Sequence, residues 1–247
     1  MKKTFRLFGL LMVAVIDFGM TACGSDDEDD GIDTSPISLI AGKDHLIEGA
    51  DTISSSNKFV AYGSGSTLHA WHVGETSVMV NGKKTISVSV LPLYHLYDDP
   101  ICEWGCSKEY VKSHQKQGTM NSKSTNDIIG YDDAGAATLL AYSFKNDKLT
   151  SAMAVVSTNH TSQYASYLAE RYLMLPYYKG EDTYFIGADG LDQESAKTVV
   201  VLQVYNYKYL ATLYMPAKDY TTRSIMAVGA DKSEALKLLE SLMTEKQ

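Results

Sequence analysis

Cysteine, positive charge and long hydrophobic runs are all scarce in this chain, and each shortage excludes a class of protein. There are three cysteines, and the 22 basic residues are outnumbered by 30 acidic ones, which gives a formal net charge of −8. Nucleic-acid phosphates require contacts from Lys and Arg, and no basic cluster is present, so a nucleic-acid partner is not expected. What remains is a chain of 247 residues, 45 % hydrophobic, which is enough for one or two packed domains.

The N-terminal apolar run, Leu7 to Ile16, is too short to span a bilayer. A spanning helix needs about 20 apolar residues, and Asp17 interrupts this run. Basic residues in the segment 2–6 precede it, and the small residues Thr21 and Ala22 follow it. This order of basic, apolar and small segments is typical of an export signal. A membrane-spanning anchor is the weaker interpretation.

Residues 20–24, Met-Thr-Ala-Cys-Gly, have the pattern of a lipobox, where a bacterial signal peptide is cut just before a lipid-bearing cysteine. The Cys23 thiol would form a thioether with a diacylglyceryl group, and each buried methylene contributes about 0.8 kcal/mol to membrane binding. We therefore predict a lipoprotein signal peptide at 1–22 and a lipid anchor at Cys23. The alternative is an ordinary cysteine in a cleaved secretory signal.

An acidic run, residues 26–30, follows directly. A block of like charges predicts a solvated spacer, and we assign 23–35 as an acidic flexible tether with ordered structure from Pro36. The sequence Cys-Gly-Ser-Asp-Asp-Glu-Asp-Asp at 23–30 also resembles the start of Bacteroidota-type surface lipoproteins. That resemblance implies the outer membrane as the location, with the protein facing the cell exterior. A periplasm-facing position is the alternative.

Residues 36–92 consist of short segments with period-two alternation, separated by glycines. Asn81-Gly82 predicts a hairpin, because a type I′ turn needs positive φ at both central residues. Short strands joined by turns indicate a β-sandwich. The predicted strands are 37–40, 59–62, 66–72, 76–80 and 84–91.

Within this region, residues 55–61, 68–70, 73–76 and 88–90 carry a resemblance. They are similar to bacterial Ig-like domains of group 2. The resemblance implies an Ig-like β-sandwich over 36–92 that acts as a spacer or adhesive module. It assigns no active residue.

The remainder, 93–247, begins with a linker at 93–100 and then alternates helical and strand patterns. Helices followed by strands predict an α+β domain with helices packed on one face of an antiparallel sheet. The predicted helices are one capped by Ser107 and stopped by Gly118, one at 161–175 blocked by Pro176, and one at 231–246. The predicted strands are 127–131, 137–144, 148–156, 183–186, 197–205 and 209–215.

Residues 104–107 with Val111, and then 142–149, resemble a Bacteroidota lipoprotein domain of unknown function. The region is also loosely similar to β-lactamase-inhibitor-like units of helices and sheet. Both resemblances imply a fold and no activity.

Few residues in the chain have spacing that suggests chemistry. Once Cys23 is lipidated, Cys102 and Cys106 remain, and their spacing does not fit a C-x-x-C redox pair. In an exported protein they would form a short-loop disulfide or pack as two thiols at a helix start. A metal site would need further Cys or His ligands nearby, so neither a metal nor a cofactor is predicted.

Catalytic patterns are equally weak. His69 and His72 would lie on opposite faces of a strand, because strand side chains alternate. The pairs Asp98-Asp99 and Asp132-Asp133 could join a carboxylate pair or a calcium site, but no EF-hand ligand series accompanies them. No nucleophile stands with a positioned base. We therefore do not expect an enzyme.

Tyrosine is unusually abundant, at 17 residues. Tyr205, Tyr207 and Tyr209 alternate and could project from one face, where they would stack on sugar rings or fill a protein interface. The alternative is a sheet face covered by the C-terminal helix, with the hydroxyls at its rim. An exposed row of these tyrosines would be the binding face of the C-terminal domain.

Three functions follow from these patterns. The leading hypothesis is a non-catalytic, lipid-anchored surface protein that binds a glycan or an envelope protein, with the Ig-like domain as a stalk. The second is a structural envelope component packed against another membrane protein. An enzyme comes third.

Overall fold

The computed structural model describes residues 31–179, 182–192, 194–219 and Leu242. The predicted signal peptide at 1–22, Cys23 with its acidic run, and all of the predicted helix at 231–246 except Leu242 lie outside these residues. Within them the protein is rich in β-structure, which is arranged in several sheets. Neither helix in the described part of the chain combines the length and the apolar character that crossing a bilayer requires.

The elements alternate as short strands, a helix, long strands, a helix and long strands. The helices are α1 Lys108–His114 and α2 Thr161–Ala169, with 3₁₀ turns at Thr158–His160 and Ala217–Asp219. The strands are β1 Ile37–Ile40, β2 Asp44–Leu46, β3 Ile53–Ser55, β4 Ala61–Ser64, β5 Thr67–Ala70, β6 Gly74–Val80, β7 Lys84–Leu91, β8 Thr119–Met120, β9 Ile128–Ala134, β10 Ala137–Lys145, β11 Lys148–Ser157, β12 Leu173–Lys179, β13 Asp182–Ala188, β14 Thr198–Tyr205 and β15 Tyr209–Pro216.

Strands β1 to β7 form two small sheets around one hydrophobic cluster. One sheet has the order β1-β7-β6-β3 and the other β2-β5-β4, with β1 parallel to β7. Buried residues such as Ile86 and Val88 come from the first sheet, and Leu68 comes from the second. The predicted alternation along 84–91 is confirmed, since Thr85 and Ser87, which alternate with Ile86 and Val88, are exposed. The short strands β2 and β3 were not predicted.

The β6–β7 hairpin contains the predicted turn. Asn81 and Gly82 have φ of 50° and 70°, and the Lys83 amide donates to the Val80 carbonyl at 3.0 Å. The Asn81 side chain also accepts hydrogen bonds from the amides of Asp51 and Thr52 at 2.8 and 3.0 Å. Asn81 therefore forms the turn and fixes the loop that precedes β3.

The burial of Ile32 shows that the predicted start of ordered structure, Pro36, is wrong. Its side chain is buried, and it belongs to the hydrophobic cluster of the two small sheets. The folded part therefore begins before Pro36, inside the segment assigned as the tether. A single apolar residue among polar neighbours can add buried surface to a core that the local composition does not reveal.

The large sheet has eight strands in the order β12-β13-β14-β15-β11-β10-β9-β8, and every pairing in it is antiparallel. One face packs Tyr142 and Ala154 against Val111 of α1 and Leu168 of α2. The opposite face buries a smaller cluster that Leu242 joins. Because strand side chains alternate, one sheet supports an apolar cluster on each face.

Two predicted helix ends are wrong. Helix α2 ends at Ala169, and residues from Leu173 onward form β12. Pro176 lies within that strand, which its edge position in the sheet permits because an edge residue can lack an amide donor. Helix α1 ends with Gln115 as its C-cap. Gly118 serves instead where the chain approaches β9, since an added Cβ would lie 2.7 Å from the Asp132 carbonyl oxygen.

Glu170, just after α2, joins the two regions. Its carboxylate accepts hydrogen bonds from the amides of Leu93 and Tyr94 at 3.2 and 3.1 Å. Its carbonyl accepts from the Val73 amide at 2.7 Å. The predicted linker at 93–100 is thus fixed at its start by a buried carboxylate.

Candidate functional site

Two exposed aromatic side chains, Tyr62 and Trp71, line a cleft beside the smaller of the two N-terminal sheets. Tyr62 is 40 % exposed and Trp71 is 39 % exposed. We call this site the aromatic cleft; its volume is about 460 Å³. Its lining residues are Ile53, Ser54, Ser55, Lys58, Tyr62, Gly63, Trp71 and Leu191.

The β4–β5 hairpin positions both rings. Tyr62 pairs with His69 across the hairpin, and Trp71 follows His69 by two residues, so all three belong to the outward series. The alternate residues, Leu68 and Ala70, are buried. The Tyr62 and Trp71 rings meet edge to face, with centroids 5.9 Å apart and planes at 80°. The strand period therefore builds this aromatic surface.

Trp71 rests on a buried support. Its ring centroid lies 4.5 Å from that of His72, which in turn stacks on Phe59 at 3.9 Å with nearly parallel planes. The His72 Nδ1 lies 2.8 Å from the Phe59 carbonyl oxygen, a distance at which it donates a hydrogen bond. Burial lowers the pKa of His72 below its ordinary value, which favours the neutral imidazole. Trp71 is thus held in place before any ligand arrives, so binding would cost it little side-chain entropy.

Tyr62 is supported from the other side by His69. The two rings stack with centroids 4.8 Å apart. The His69 Nδ1 lies 2.7 Å from an oxygen of Asp44 on β2. As expected, His69 and His72 occupy different surroundings: His69 borders the cleft and His72 lies beneath it.

Gly63 determines the depth of the cleft. An added Cβ would lie 2.4 Å from both the Cβ and the carbonyl oxygen of Ile53. Any side chain at this position would therefore push β4 away from β3. Glycine allows the two sheets to meet where the cleft opens.

Polar groups stand beside the aromatic rings. The Ser55 hydroxyl lies 3.1 Å from the Thr76 hydroxyl, which fixes its orientation. Lys58 is the charged residue among those lining the cleft. The site therefore combines apolar rings with a few hydrogen-bonding groups, as ligand sites commonly do.

The predicted tyrosine row is divided in the structure. Tyr205 and Tyr209 pair across the β14–β15 hairpin and pack against the cluster that contains Leu242. Tyr207 is 94 % exposed in the turn, with a φ of 56°. The three residues do not form one exposed face, because the turn falls at the middle tyrosine.

Among the described residues, eight tyrosines are buried. The hydroxyl of Tyr97 bonds those of Tyr164 and Tyr214 at 3.1 and 3.0 Å, and Tyr164 donates to the Thr212 hydroxyl at 2.6 Å. Burial raises the pKa of Tyr164 above its ordinary value. These rings fill the space between α2 and the large sheet, and their hydroxyls satisfy one another.

Cys102 and Cys106 are free thiols in the structure, with no disulfide between them. Both pack against the core under α1 and α2, the second of the two arrangements that the sequence left open. Burial raises the pKa of Cys102 well above its ordinary value, and nearby Glu103 adds to the shift. A thiol that stays protonated is a poor nucleophile and a poor metal ligand.

Two of the candidate carboxylates, those of Asp99 and Asp132, accept hydrogen bonds from other side chains of the fold. Asp99 accepts from the Tyr167 hydroxyl and, at 2.6 Å, from the Arg171 Nε. Asp132 accepts from the Asn121 amide group at 2.9 and 3.0 Å. Across the described ranges, no group of three or more His, Cys, Asp or Glu side chains is arranged to hold a metal ion.

The aromatic cleft was not anticipated from the sequence. Trp71 is one of two tryptophans in the chain, and it follows a segment in which apolar and polar residues alternate. An outward tryptophan in such a segment is the feature that could have indicated the site. Leu191 could not have been anticipated, since it comes from the distant β13–β14 connection.

Comparison of the chain with protein-family models, curated proteins and solved structures finds no match. The functional argument therefore depends on the geometry of the site.

Proposed function

We propose that this protein is a non-catalytic, lipid-anchored component of the bacterial outer membrane that binds a glycan through the aromatic cleft. In this proposal residues 36–92 form an Ig-like β-sandwich and 93–247 an α+β domain. The lipid on Cys23 fastens both to the membrane, facing the cell exterior. The sandwich then contributes the binding surface in addition to acting as a stalk.

The observation behind this proposal is the pair of exposed, rigidly supported rings of Tyr62 and Trp71. Flat aromatic rings offer large apolar area, and Tyr adds a polar hydroxyl. A pyranose ring has an apolar face of C–H groups surrounded by hydroxyls. It can therefore stack on the rings while the hydroxyls bond to groups such as Ser54 and Ser55. The rings face solvent across a cleft of about 460 Å³, a volume suited to one or two sugar units.

The anchoring part of the proposal depends on the lipobox and the acidic run at 26–30. It predicts that the protein from its native host has lost residues 1–22 and has gained the mass of acyl chains on Cys23. Mass spectrometry of that protein tests this part alone. A chain that retains residues 1–22 with a bare Cys23 would contradict it.

Binding is tested with the mature chain made soluble by Cys23→Ser. We expect Trp71→Ala to weaken binding of glycan-array hits by about 30-fold, because aromatic hot spots contribute about 2 kcal/mol or more. Tyr62→Ala should have a smaller effect in the same direction. Tyr207→Ala is the matched control, since it removes an exposed tyrosine that does not line the cleft. Equal binding by Trp71→Ala and the parent chain would contradict the proposal.

A structural role in the envelope is the second candidate. It is favoured by apolar side chains exposed on the large sheet, among them Val204 at 58 % and Leu175 at 61 %. Such residues could pack against another envelope protein. Co-purification of one stoichiometric envelope protein, abolished by Val204→Asp and unaffected by Trp71→Ala, would favour this role over glycan binding.

A further inference from the structure

We propose that the aromatic cleft selects a sugar that bears a negative charge, a carboxylate or a sulfate, on its pyranose ring. This inference rests on the proposed function and names its ligand class. Lys58 would contact the anionic group while Trp71 and Tyr62 hold the apolar face of the ring.

Lys58 is the source of this selectivity. The other lining residues of the cleft are apolar, aromatic, glycine or serine, so the lining has one positive charge and no negative one. The side chain is exposed, and none of the ion pairs found among the described residues involves it. A positive charge beside an apolar surface is thus open to a ligand.

The backbone that bears Lys58 is fixed. The Asn57 side chain accepts from the Phe59 amide at 3.1 Å, and its carbonyl accepts from the amides of Val60 and Ala61 at 3.2 Å each. The Asn57 amide donates to the Thr76 hydroxyl at 3.0 Å. Phe59, the next residue, is buried under Trp71. One short segment therefore sets both the ring support and the position of the cation.

The net negative charge of the whole protein limits where an anionic ligand can bind, which gives the single lysine of the cleft its importance. A chain with a net charge of −8 repels anions on average. An anionic ligand would be attracted only where a positive group dominates its immediate surroundings. A neutral sugar could accept a hydrogen bond from the Lys58 ammonium but would gain no charge attraction from it.

The test compares matched oligosaccharides on the soluble mature chain with Cys23→Ser. Oligogalactose, oligogalacturonate and sulfated oligogalactose share one ring geometry and differ in charge, and the same comparison can be made with glucose and glucuronate oligomers. We expect at least one anionic form to bind about fivefold or more tightly than its neutral counterpart. Which anionic form binds better identifies the carboxylate or the sulfate as the recognised group.

Two variants and a change of salt concentration separate the contributions. Lys58→Gln should abolish the preference for the anionic form, because it weakens binding of the anionic sugar more than binding of the neutral one. Lys148→Gln, an exposed lysine on β11, should keep the preference. Raising the salt concentration should reduce the preference of the parent chain and leave the ratio of the anionic and neutral affinities of Lys58→Gln unchanged.

The outcomes distinguish the inference from the proposed function. Trp71-dependent binding with equal affinity for neutral and anionic sugars would overturn the charge selectivity while leaving glycan binding in place. A preference that survives Lys58→Gln would also overturn it. Failure of these oligosaccharides and of every glycan on the array to bind the parent chain would overturn both.

Discussion

The two regions of this molecule use aromatic residues in opposite ways. In the small sheets, Tyr62 and Trp71 stand at the surface, where His69 supports Tyr62 and where Phe59 and His72 support Trp71. In the large-sheet region, the rings of Tyr97, Tyr164, Tyr167, Tyr172 and Tyr214 are buried.

The difference lies in what each region can cover. The β2-β5-β4 sheet packs one face on the shared cluster, and no helix lies over the outer face near Trp71 within the described residues. The large sheet has α2 across the tyrosine-bearing face. An outward aromatic series therefore becomes a surface cleft in one region and a hydrogen-bonded core in the other.

The largest expected effect is the difference in stability loss between truncating a buried tyrosine of the large-sheet region and truncating an exposed tyrosine of the small sheets. Tyr214→Ala should lower the free energy of unfolding by about 3–5 kcal/mol, because it leaves a cavity beside Tyr97 and Tyr172. Tyr62→Ala should cost about 1 kcal/mol or less, since the side chain is half exposed. Chemical denaturation of both variants measures this. Similar losses would mean that the two regions do not use tyrosine differently.

Glu170→Ala tests how firmly the two regions are joined. Hydrogen bonds to a charged acceptor contribute about 1.5–3 kcal/mol, and the Glu170 side chain is 11 % exposed. We expect a loss of about 2 kcal/mol and faster hydrogen exchange at the Leu93 and Tyr94 amides. Glu109→Ala, on exposed α1, should change stability by less than about 0.5 kcal/mol. Unchanged exchange at the two amides would show that the carboxylate does not hold the linker.

His72, which lies under Trp71, should make the stability of the folded protein depend on pH. Because burial lowers the pKa of folded His72, the unfolded chain binds more protons once the pH falls below about 6.5. This residue therefore contributes a loss of stability as the pH falls from about 6.5 towards its folded pKa, with a limiting slope of about 1.4 kcal/mol per pH unit. His72→Gln should flatten the slope, measured by denaturation from pH 7 to pH 5. His95→Gln, an exposed control, should retain it.

The smallest effect concerns the exposed hairpin. Tyr207 has a positive φ, which costs a non-glycine residue about 1–2 kcal/mol. Tyr207→Gly removes that strain but increases the entropy of the unfolded chain, so we expect a net gain of about 0.5 kcal/mol in thermal or chemical denaturation. Glycan binding should not change. A loss of stability would indicate that the Tyr207 ring packs on the hairpin.

Local patterns predicted most strands of the described residues. The alternation along 84–91 and the turn residues Asn81-Gly82 depend on near neighbours alone, and the structure has a strand and positive φ values at these places. The end of α2 was missed, because the apolar spacing at 164, 168, 172 and 175 fits a helix. Pairing with β13 draws the last part of that segment into the sheet edge.

The site was harder to predict than the fold. Tyr205, Tyr207 and Tyr209 were chosen by spacing, yet their exposure depends on where the hairpin turns and on what covers the large sheet. The position of the Trp71 ring depends on Phe59 and Tyr62. The cleft also needs Leu191, which lies more than 100 residues further along the chain. Contacts between distant segments leave no periodic pattern.

The amino-acid sequence by itself determined the strand alternation, the tight turns, the helix cap at Ser107, and an N-terminal pattern that predicts export and lipidation. These depend on backbone preferences and on neighbours within a few residues. The tertiary structure decided which aromatic rings face water, that Cys102 and Cys106 pack as thiols, and that Ile32 belongs to a core. Burial is a property of surfaces that distant segments share, so it became visible only once those segments were packed together.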